Sequence, residues 1–264
     1  MEFINNSDYF DQHFLTDDNI IDIFISSANL TKDDEVIEIG PGKGNISELI
    51  AKKVKKLYCI ELDERLKPFL DQLEKKYKNV KIIYGSALNT DWPKCNKIIT
   101  SLPYSIIEPF INKAINYNID IYMIMGKNYV DNAINCEINK LSLLTNCYYN
   151  SKNIIDITPD KFNPKPGVMS SIIELKYKNI NDINDDLLLI FRYMFYYKNK
   201  KTKNALIESL ISSSKIRNKV LTQKSSKYIV DNLKINDDIL NKTFETISNE
   251  ELKILYNKVK SIEL

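Results

Sequence analysis

The chain has 264 residues, 44% of them hydrophobic, which is enough for a proper core in one large domain or two small ones. Its 37 basic and 35 acidic residues give a formal charge of +2, which excludes binding to nucleic acid through overall charge alone. The four cysteines form no C-x-x-C pair and His13 is the single histidine, so we expect no metal site.

The sequence shows no membrane or export segment. No apolar run reaches membrane-spanning length, and the acidic start Met1-Glu2-Phe3-Ile4-Asn5 resembles neither a secretory signal nor an Arg-rich transit peptide. We therefore expect a cytoplasmic monomer with reduced cysteines and no membrane partner.

The first predicted element is a helix with apolar residues from Ile20 to Ile25, which Thr16 or Asp17 could cap. A glycine turn comes after the next predicted element, the buried strand 36–39. The turn holds half of the chain's six glycines, namely Gly40, Gly42 and Gly44, and apolar residues at helical spacing follow it. Strand, turn and helix in this order predict a small polar ligand, because glycine admits a ligand to the backbone and the helix start offers free amides.

The spacing of the turn discriminates between ligands. It is G-x-G-x-G with Glu38 ahead of it, not the dinucleotide pattern G-x-G-x-x-G, and a carboxylate would repel a pyrophosphate. S-adenosylmethionine, with a cationic amino-acid end and an adenosine, fits better. Glu61 ends the next strand, with Asp63 close by, and could accept the ribose hydroxyls. The alternative is a purely structural turn with a solvated Glu61.

Predicted strands at 80–84, 97–100 and 119–125 alternate with helices, which predicts an α/β fold with a doubly wound parallel sheet. Ligands of such sheets bind beyond the carboxyl ends of the strands. Four polar residues stand at these ends and should converge on one crevice. They are Glu38, Glu61, Ser86 and Ser101.

The fourth strand runs into Ser101-Leu102-Pro103-Tyr104, a pattern used by enzymes that methylate exocyclic amino groups. An adenine amine is a poor nucleophile because its lone pair is delocalised into the ring. Oxygen acceptors at position 101 and on a backbone carbonyl could bond both amine protons, and Tyr104 could stack on the base. An ordinary strand-to-loop Pro-Tyr is the alternative.

A helix is predicted over 127–138, and a proline-stiffened loop after Phe162 leads into another strand. Phe162 could be a wall on which a base stacks, or a hydrophobic plug under the loop. We place a domain boundary near residue 180, giving a methyltransferase-type domain over 1–180 and a small all-helical domain over 181–264. The helices predicted there cover 187–197, 203–213, 215–221, 226–232 and 250–262.

A basic run in the second domain follows three tyrosines, Tyr193, Tyr196 and Tyr197. Basic residues beside aromatic ones fit a face that tracks phosphates, although such a run is often only a solvated face. The predicted RNA-binding residues are Arg192, Lys198, Lys200, Lys201 and Lys203.

Six segments taken together match one known family. They are Gln12-His13-Phe14-Leu15, Glu38-Ile39-Gly40-Pro41-Gly42-Lys43-Gly44, Ile60-Glu61-Leu62-Asp63, Leu102-Pro103-Tyr104, Phe162-Asn163-Pro164-Lys165-Pro166 and Lys203-Asn204-Ala205-Leu206. The chain thereby resembles the small-subunit ribosomal RNA adenine N6,N6-dimethyltransferases, with the macrolide-resistance rRNA methyltransferases as relatives. The resemblance covers most of the chain and implies a Rossmann-like class I S-adenosylmethionine-dependent methyltransferase domain.

The resemblance also implies a substrate and site residues. The reaction would dimethylate two adjacent adenosines in the hairpin loop near the 3′ end of small-subunit rRNA, within a pre-30S-type ribosomal particle. The pattern and the resemblance together predict cofactor contacts at Gln12, His13, Leu15, Glu38, Gly40, Gly42, Gly44, Glu61, Leu62, Ser86, Ala87 and Ser101. They predict a catalytic set of Ser101, Leu102, Pro103, Tyr104 and Phe162.

Several positions depart from the family pattern. Ser86 stands where Asp is typical and Ser101 where Asn is typical, and the segments 127–130 and 138–142 lack expected glutamine, glutamate, glycine and arginine residues. These departures keep open a second hypothesis, a catalytically weakened homologue that acts as an rRNA-binding ribosome-assembly factor. A third, a mitochondrial transcription factor of the same fold, is disfavoured by the missing transit peptide.

Overall fold

The computed structural model describes residues 13–264, and these pack into two compact units. The sheet unit consists of the described residues up to Ile134 together with Asn150–Tyr177, and the helical unit consists of Asn135–Tyr149 and Lys178–Leu264. The division differs from the sequence-based domains in two segments. Residues 135–149 and 178–180, assigned to the first domain from sequence, pack with the C-terminal helices.

The main sheet has seven strands in the order β4-β3-β2-β5-β6-β9-β7. The strands β2 to β6 pair in parallel and β9 runs antiparallel to β6, so the predicted α/β architecture is confirmed. The bounds are β2 Glu35–Ile39, β3 Lys56–Glu61, β4 Val80–Tyr84, β5 Lys97–Ser101, β6 Asp120–Gly126, β7 Tyr149–Ile157 and β9 Ser170–Tyr177. A separate antiparallel pair joins β1 (Phe14–Leu15) to β8 (Phe162–Asn163).

Five helices belong to the sheet unit and six to the helical unit, counted over residues 13–264. The first five are α1 Asp18–Ser27, α2 Asn45–Ala51, α3 Lys67–Lys76, α4 Ile107–Ala114 and α5 Lys127–Ile134. The others are α6 Lys140–Tyr148, α7 Asp186–Tyr196, α8 Thr202–Ile216, α9 Gln223–Asn232, α10 Asp237–Asn241 and α11 Asn249–Val259.

Three helix predictions were wrong in their extent. The helix predicted over 127–138 ends at Ile134, Cys136 takes a left-handed backbone with φ 53°, and Asn139 then caps α6 by accepting a hydrogen bond from the Ser142 amide at 2.9 Å. The helices predicted over 203–213 and 215–221 are replaced by the single helix α8, which continues without a break to Ile216. Residues 217–221 lie outside it, and Asn218 takes a left-handed backbone there.

The pairing of β2 with β3 and β5 at the centre of the sheet determines where the polar residues at the strand ends lie. Ile39 pairs with Ile60 on one side and with Thr100 on the other, so the chain leaves β2 beside the ends of β3 and β5. The Thr100 hydroxyl donates to the Ile39 carbonyl at 2.9 Å and fastens β5 to β2 at that point. Gly40, Glu61 and Ser101 therefore meet at one edge, as expected for parallel strands.

The hydrophobic core next to the site is built from strand residues and helices α1 to α3. Its fully or nearly fully buried members include Phe24, Ile25, Val36, Ile50, Leu57, Leu70, Ile99 and Tyr122. Burying each large side chain contributes about 1.5–3 kcal/mol, so the layer under the glycine turn is well anchored. No helix within residues 13–264 combines the length and the apolarity that crossing a membrane requires.

Candidate functional site

A cavity of about 360 Å³ lies at the carboxyl ends of the parallel strands, entirely within the sheet unit. Ligand cavities commonly span about 300–1,000 Å³. The predicted site residues that line it are His13, Leu15, Glu38, Gly40, Gly42, Glu61, Leu62, Ser86, Ala87, Ser101, Leu102, Pro103, Tyr104 and Phe162. Gln12 lies outside the described residues, and Gly44 does not line the cavity.

All three glycines of the turn have a left-handed backbone, and their surroundings differ. Gly40, Gly42 and Gly44 have φ values of 71°, 60° and 86°, which side chains disfavour. The Gly40 amide donates to the Ile60 carbonyl at 3.0 Å, which orients the turn. Gly44 faces away from the cavity, and a Cβ there would lie 3.3 Å from a Leu73 methyl group of α3. We therefore assign Gly44 to packing, in contrast to the sequence-based prediction of a cofactor contact.

Two buried acids face the turn. Glu38 and Glu61 are each 3% exposed. The Glu61 carboxylate accepts the Gly42 amide at 3.2 Å and the Asp63 amide at 2.8 Å. The Glu38 carboxylate accepts a weak hydrogen bond from the buried Cys59 thiol at 3.7 Å. The solvated Glu61 of the structural alternative is therefore absent from this fold.

Burial changes the acid–base behaviour of both carboxyl groups. Removal from water raises the pKa of Glu38 to about 7, and the neighbouring Glu61 charge adds to that rise. Burial also raises the pKa of Glu61, while the Asp63 and Gly42 amides oppose the rise by stabilising the anion. A cation in the cavity would favour the ionised form of both groups.

Ser86 begins the turn that follows β4. Its hydroxyl oxygen accepts a hydrogen bond from the Leu88 amide at 3.3 Å, and its carbonyl accepts the Asn89 and Thr90 amides at 3.0 and 2.9 Å. Ser86 thus shapes the turn besides lining the cavity. One lone pair of the hydroxyl is already used by the protein.

The motif at the end of β5 forms the opposite wall. The Tyr104 hydroxyl and the Ser170 hydroxyl are 2.5 Å apart. A Cβ at Gly126 would lie 3.2 Å from the Tyr104 ring, so the ring occupies space that only glycine leaves open. Across residues 13–264, the Ser101 hydroxyl has no protein hydrogen-bond partner, and it lines the cavity with its acceptor capacity unused.

Phe162 is 4% exposed and belongs to the core cluster, as the plug alternative predicts, yet part of its surface lines the cavity. Its backbone pairs with Leu15 in the short β1–β8 sheet. Side-chain and backbone bonds, among them that of the Thr16 amide to the Lys161 carbonyl at 2.9 Å, also hold the same two segments together. His13 Nδ1 lies 2.9 Å from the Pro164 carbonyl, and the Lys161 ammonium lies 2.6 Å from Asp17.

Sequence reasoning missed several residues that shape this cavity, and three of them are informative. Phe14 and Asn163 line it, and Ser170 holds Tyr104. Phe14 belongs to the first segment of the family resemblance. It lies between His13 and Leu15, two predicted cofactor contacts, and this position could have indicated that it lines the cavity. Ser170 gave no local signal, because its partner is distant in sequence.

In the helical unit, the structure contradicts an RNA contact at Arg192. Arg192 is 6% exposed, its guanidinium donates to the Cys147 and Lys178 carbonyls at 3.1 and 3.0 Å, and it stacks 4.3 Å from the centre of the Tyr148 ring. Its position on the buried side of α7 makes it a structural residue.

The four predicted lysines are placed differently from Arg192 and from one another. Lys198, Lys200 and Lys203 each form an ion pair with a nearby acid, respectively Glu245 at 2.8 Å, Glu208 at 3.4 Å and Asp231 at 2.6 Å. Lys201 is exposed at the start of α8, and within the described chain its ammonium forms no ion pair. These surface pairs are weak enough to exchange for phosphate contacts.

Comparisons with known proteins identify the family of this chain. The family model described as ribosomal RNA adenine dimethylase matches residues 4–250. A Methanococcus aeolicus protein described as "Probable ribosomal RNA small subunit methyltransferase A" is 32% identical over 262 residues, which cover 95% of each chain. A Methanosphaera stadtmanae protein of the same description is 34% identical over 222 residues, covering 81% of this chain and 82% of that one.

Two solved structures share the fold. A dimethyladenosine transferase from Plasmodium falciparum superimposes with a TM-score of 0.62 at 22% identity, covering 94% of this chain and 98% of that chain. The 23S rRNA methyltransferase ErmE superimposes with a TM-score of 0.61 at 17% identity, covering 93% and 98% respectively.

Proposed function

Since the chain belongs to the ribosomal RNA adenine dimethylase family, we propose that it dimethylates N6 of two adjacent adenosines in the hairpin loop near the 3′ end of small-subunit rRNA. Its methyl donor is S-adenosylmethionine. The observation that carries the proposal is the meeting of the buried acids Glu38 and Glu61 with the Ser101–Tyr104 motif in one cavity.

The cavity residues fit the cofactor. When bound, S-adenosylmethionine supplies an electrophilic methyl group on a sulfonium ion. A carboxylate has about four acceptor sites, and Glu61 uses two of them on backbone amides, which leaves two for ribose hydroxyls. Glu38 would face the cationic amino-acid end of the cofactor. The positive charge there would stabilise the ionised form of the Glu38 carboxyl group, which burial disfavours. Leu62, Ser86 and Ala87 would border the adenine.

The other wall fits an adenine amine. The free Ser101 oxygen and a nearby backbone carbonyl would accept the two amine protons, so the nitrogen lone pair is directed away from the ring and towards the methyl group. Tyr104, fixed by Ser170 and by the space at Gly126, would stack on the base. Reaching this cavity requires the target base to leave its stack, which is easiest in a hairpin loop.

We further propose a pre-30S-type particle as the physiological partner, with Lys201 and the exchangeable ion pairs of Lys198, Lys200 and Lys203 as phosphate contacts. Phosphate contacts position an RNA-binding protein without selecting sequence. The choice of adenosine would then come from the Ser101–Tyr104 wall.

One observation favours a second function, that of a catalytically weakened assembly factor. Ser86 is uncharged and its hydroxyl already accepts the Leu88 amide, so it offers the cofactor less than an aspartate would. Loss of a charged hydrogen bond costs about 1.5–3 kcal/mol, or roughly ten- to a hundredfold in affinity. Such a protein would bind the particle and turn over slowly.

Methyl transfer to unmodified small-subunit particles tests the proposal. Radiolabelled S-adenosylmethionine should give about four methyl groups per particle over many turnovers, and mass spectrometry of the 3′ hairpin should find both adenosines dimethylated. Glu61→Ala and Tyr104→Ala should each lower the rate at least tenfold, whereas Glu64→Ala, at an exposed position on the same segment, should not. Tight particle binding with no turnover would support the second function instead.

A further inference from the structure

Lys113, at the end of α4, binds the turn that carries Ser86 and Ala87. Its ammonium donates to the Ala87 carbonyl at 2.9 Å, to the Leu88 carbonyl at 3.1 Å and to the Thr90 carbonyl. An ammonium has three protons, so all of its donor capacity goes to one turn. No other side chain in the described structure makes three such bonds to this segment.

The Lys113 side chain is half-buried, and the partners of its ammonium are neutral carbonyl dipoles rather than a carboxylate. Burial lowers the pKa of Lys113, and the charge of Asp91 partly opposes that effect. Bonds from a charged donor are roughly twice as strong as neutral ones, so the turn is held firmly.

The chain's single tryptophan completes the arrangement. Trp92 Nε1 donates to the same Ala87 carbonyl at 2.9 Å, and the Lys113 ammonium lies 5.0 Å from the centre of the Trp92 ring. Phe110 of α4 and Tyr117 pack against the indole, with ring centres 5.8 and 4.8 Å away. The Ala87 carbonyl is therefore fixed by two donors from different directions.

The helix that carries Lys113 also belongs to the acceptor wall. A 3-10 turn, Tyr104–Ile106, follows Pro103 and leads directly into α4 at Ile107. One short helix thus starts at the acceptor motif and ends on the cofactor turn.

We infer that Lys113 is a positioning residue for S-adenosylmethionine, which holds the Ser86–Thr90 turn in the shape that borders the adenine of the cofactor. The inference rests on the proposed function for the identity of that turn's ligand. A preformed turn loses less conformational entropy when the ligand binds. Since Ser86 contributes no charge to cofactor binding, this rigidity of the turn accounts for a larger part of the affinity. Lys113 does not line the cavity and contacts no reacting atom.

Calorimetric titration of the full-length protein with S-adenosylmethionine tests this role. Lys113→Met should raise the Kd about tenfold, the amount expected when charged hydrogen bonds that order a binding loop are lost. Lys113→Arg, which keeps the charge and the donors, should restore most of the affinity. Lys75→Met, at an exposed lysine of α3 that forms no ion pair within residues 13–264, should bind like the wild type. With saturating cofactor, kcat of Lys113→Met should stay within about twofold, while KM for the cofactor rises as the Kd does.

Fluorescence of the wild type gives an independent readout that needs no variant. Because Trp92 bonds the turn, its emission should change as the cofactor binds, with a midpoint equal to the calorimetric Kd. A Lys113→Met protein with a lower Tm but the wild-type Kd would overturn the positioning role. If the wild type itself bound no S-adenosylmethionine, the proposed function would fail instead.

Discussion

The ring of Phe14 lies directly against Gly42. A Cβ at Gly42 would be 2.9 Å from Phe14 Cε1, which is closer than side chains approach one another. The backbone of Phe14 pairs at the same time with Asn163 of β8. The strand β1 is therefore held between the glycine turn and the Phe162 segment, and the glycine at position 42 serves packing as well as access to a ligand.

Gly42→Ala should weaken both folding and cofactor binding. The new methyl group must displace Phe14, and alanine disfavours a φ of 60°, so the combined cost should be about 1–3 kcal/mol. Thermal denaturation and calorimetric titration would measure the two effects. Gly167→Ala is the matched control, because a Cβ there has no heavy atom within 4 Å among the described residues. Equal Tm and Kd values for both variants would contradict the contact.

The hydrogen bond between Ser170 and Tyr104 should affect methyl transfer to the acceptor adenosine, and it should not affect the affinity for the cofactor. Ser170→Ala removes the partner of the Tyr104 hydroxyl, at a cost of about 1 kcal/mol, and frees the ring to move. We expect kcat to fall several-fold with an unchanged cofactor Kd. Ser105→Ala, at the exposed residue next to Tyr104, should have no effect. In a double-mutant cycle with Tyr104→Phe, purely additive losses would show that the bond does not operate.

The fold was predictable wherever apolar runs mark buried strands. Strands β2 to β6 were found this way, and the acids at their ends followed from parallel geometry. Strand β7 was missed because it is the last strand in the sheet order, and its sequence Tyr149–Ile157 carries asparagine, serine, lysine and aspartate. A strand at a sheet edge needs no continuous apolar run, so periodicity gives it little signal.

The side-chain partnerships of the site could not be predicted in the same way. Lys113 and Ala87 are separated by 26 residues and Tyr104 and Ser170 by 66, and no local pattern encodes such pairs. Arg192 shows the opposite error, since a basic residue beside aromatic ones was interpreted as a surface residue. The helix α7 turns it inward, where the guanidinium donates to the Cys147 carbonyl near the end of α6 and to the Lys178 carbonyl after β9.

Affinity for S-adenosylmethionine should increase as the pH rises through about 7, the pKa of the buried Glu38. A cationic ligand favours the ionised carboxylate, so between pH 6 and 8 the Kd should fall about tenfold. Glu38→Gln removes this dependence but keeps any titration of the ligand, so the ratio of the two Kd profiles isolates Glu38. A ratio of the two Kd values that stays constant between pH 6 and 8 would show that Glu38 does not contact the cationic group of the ligand.

The ligand-free protein should show the opposite trend in stability. The pKa of Glu38 is raised from 4.5 to about 7 by folding, so its protonated form is favoured in the folded state. Its contribution to the free energy of unfolding is full below about pH 4.5 and is lost as the pH rises through 7. Urea unfolding at several pH values, compared with Glu38→Gln, would measure this difference. If the difference in the free energy of unfolding between the wild type and the variant stayed constant from pH 4.5 to 8, the Glu38 carboxyl group would not take up a proton on folding.

Lys201 and Arg192 should behave differently in RNA binding, although both are basic and lie near one another in sequence. Lys201→Ala should weaken binding to small-subunit particles and lower the slope of log Kd against log salt by about 1, because one phosphate contact is lost. Arg192→Leu should instead lower the free energy of unfolding by about 1–3 kcal/mol, since the Cys147 and Lys178 carbonyls lose their donor. Filter binding across a salt series and urea unfolding would separate the two effects. An Arg192→Leu protein with wild-type stability and a reduced salt slope would place that guanidinium on RNA, against its burial in the helical unit.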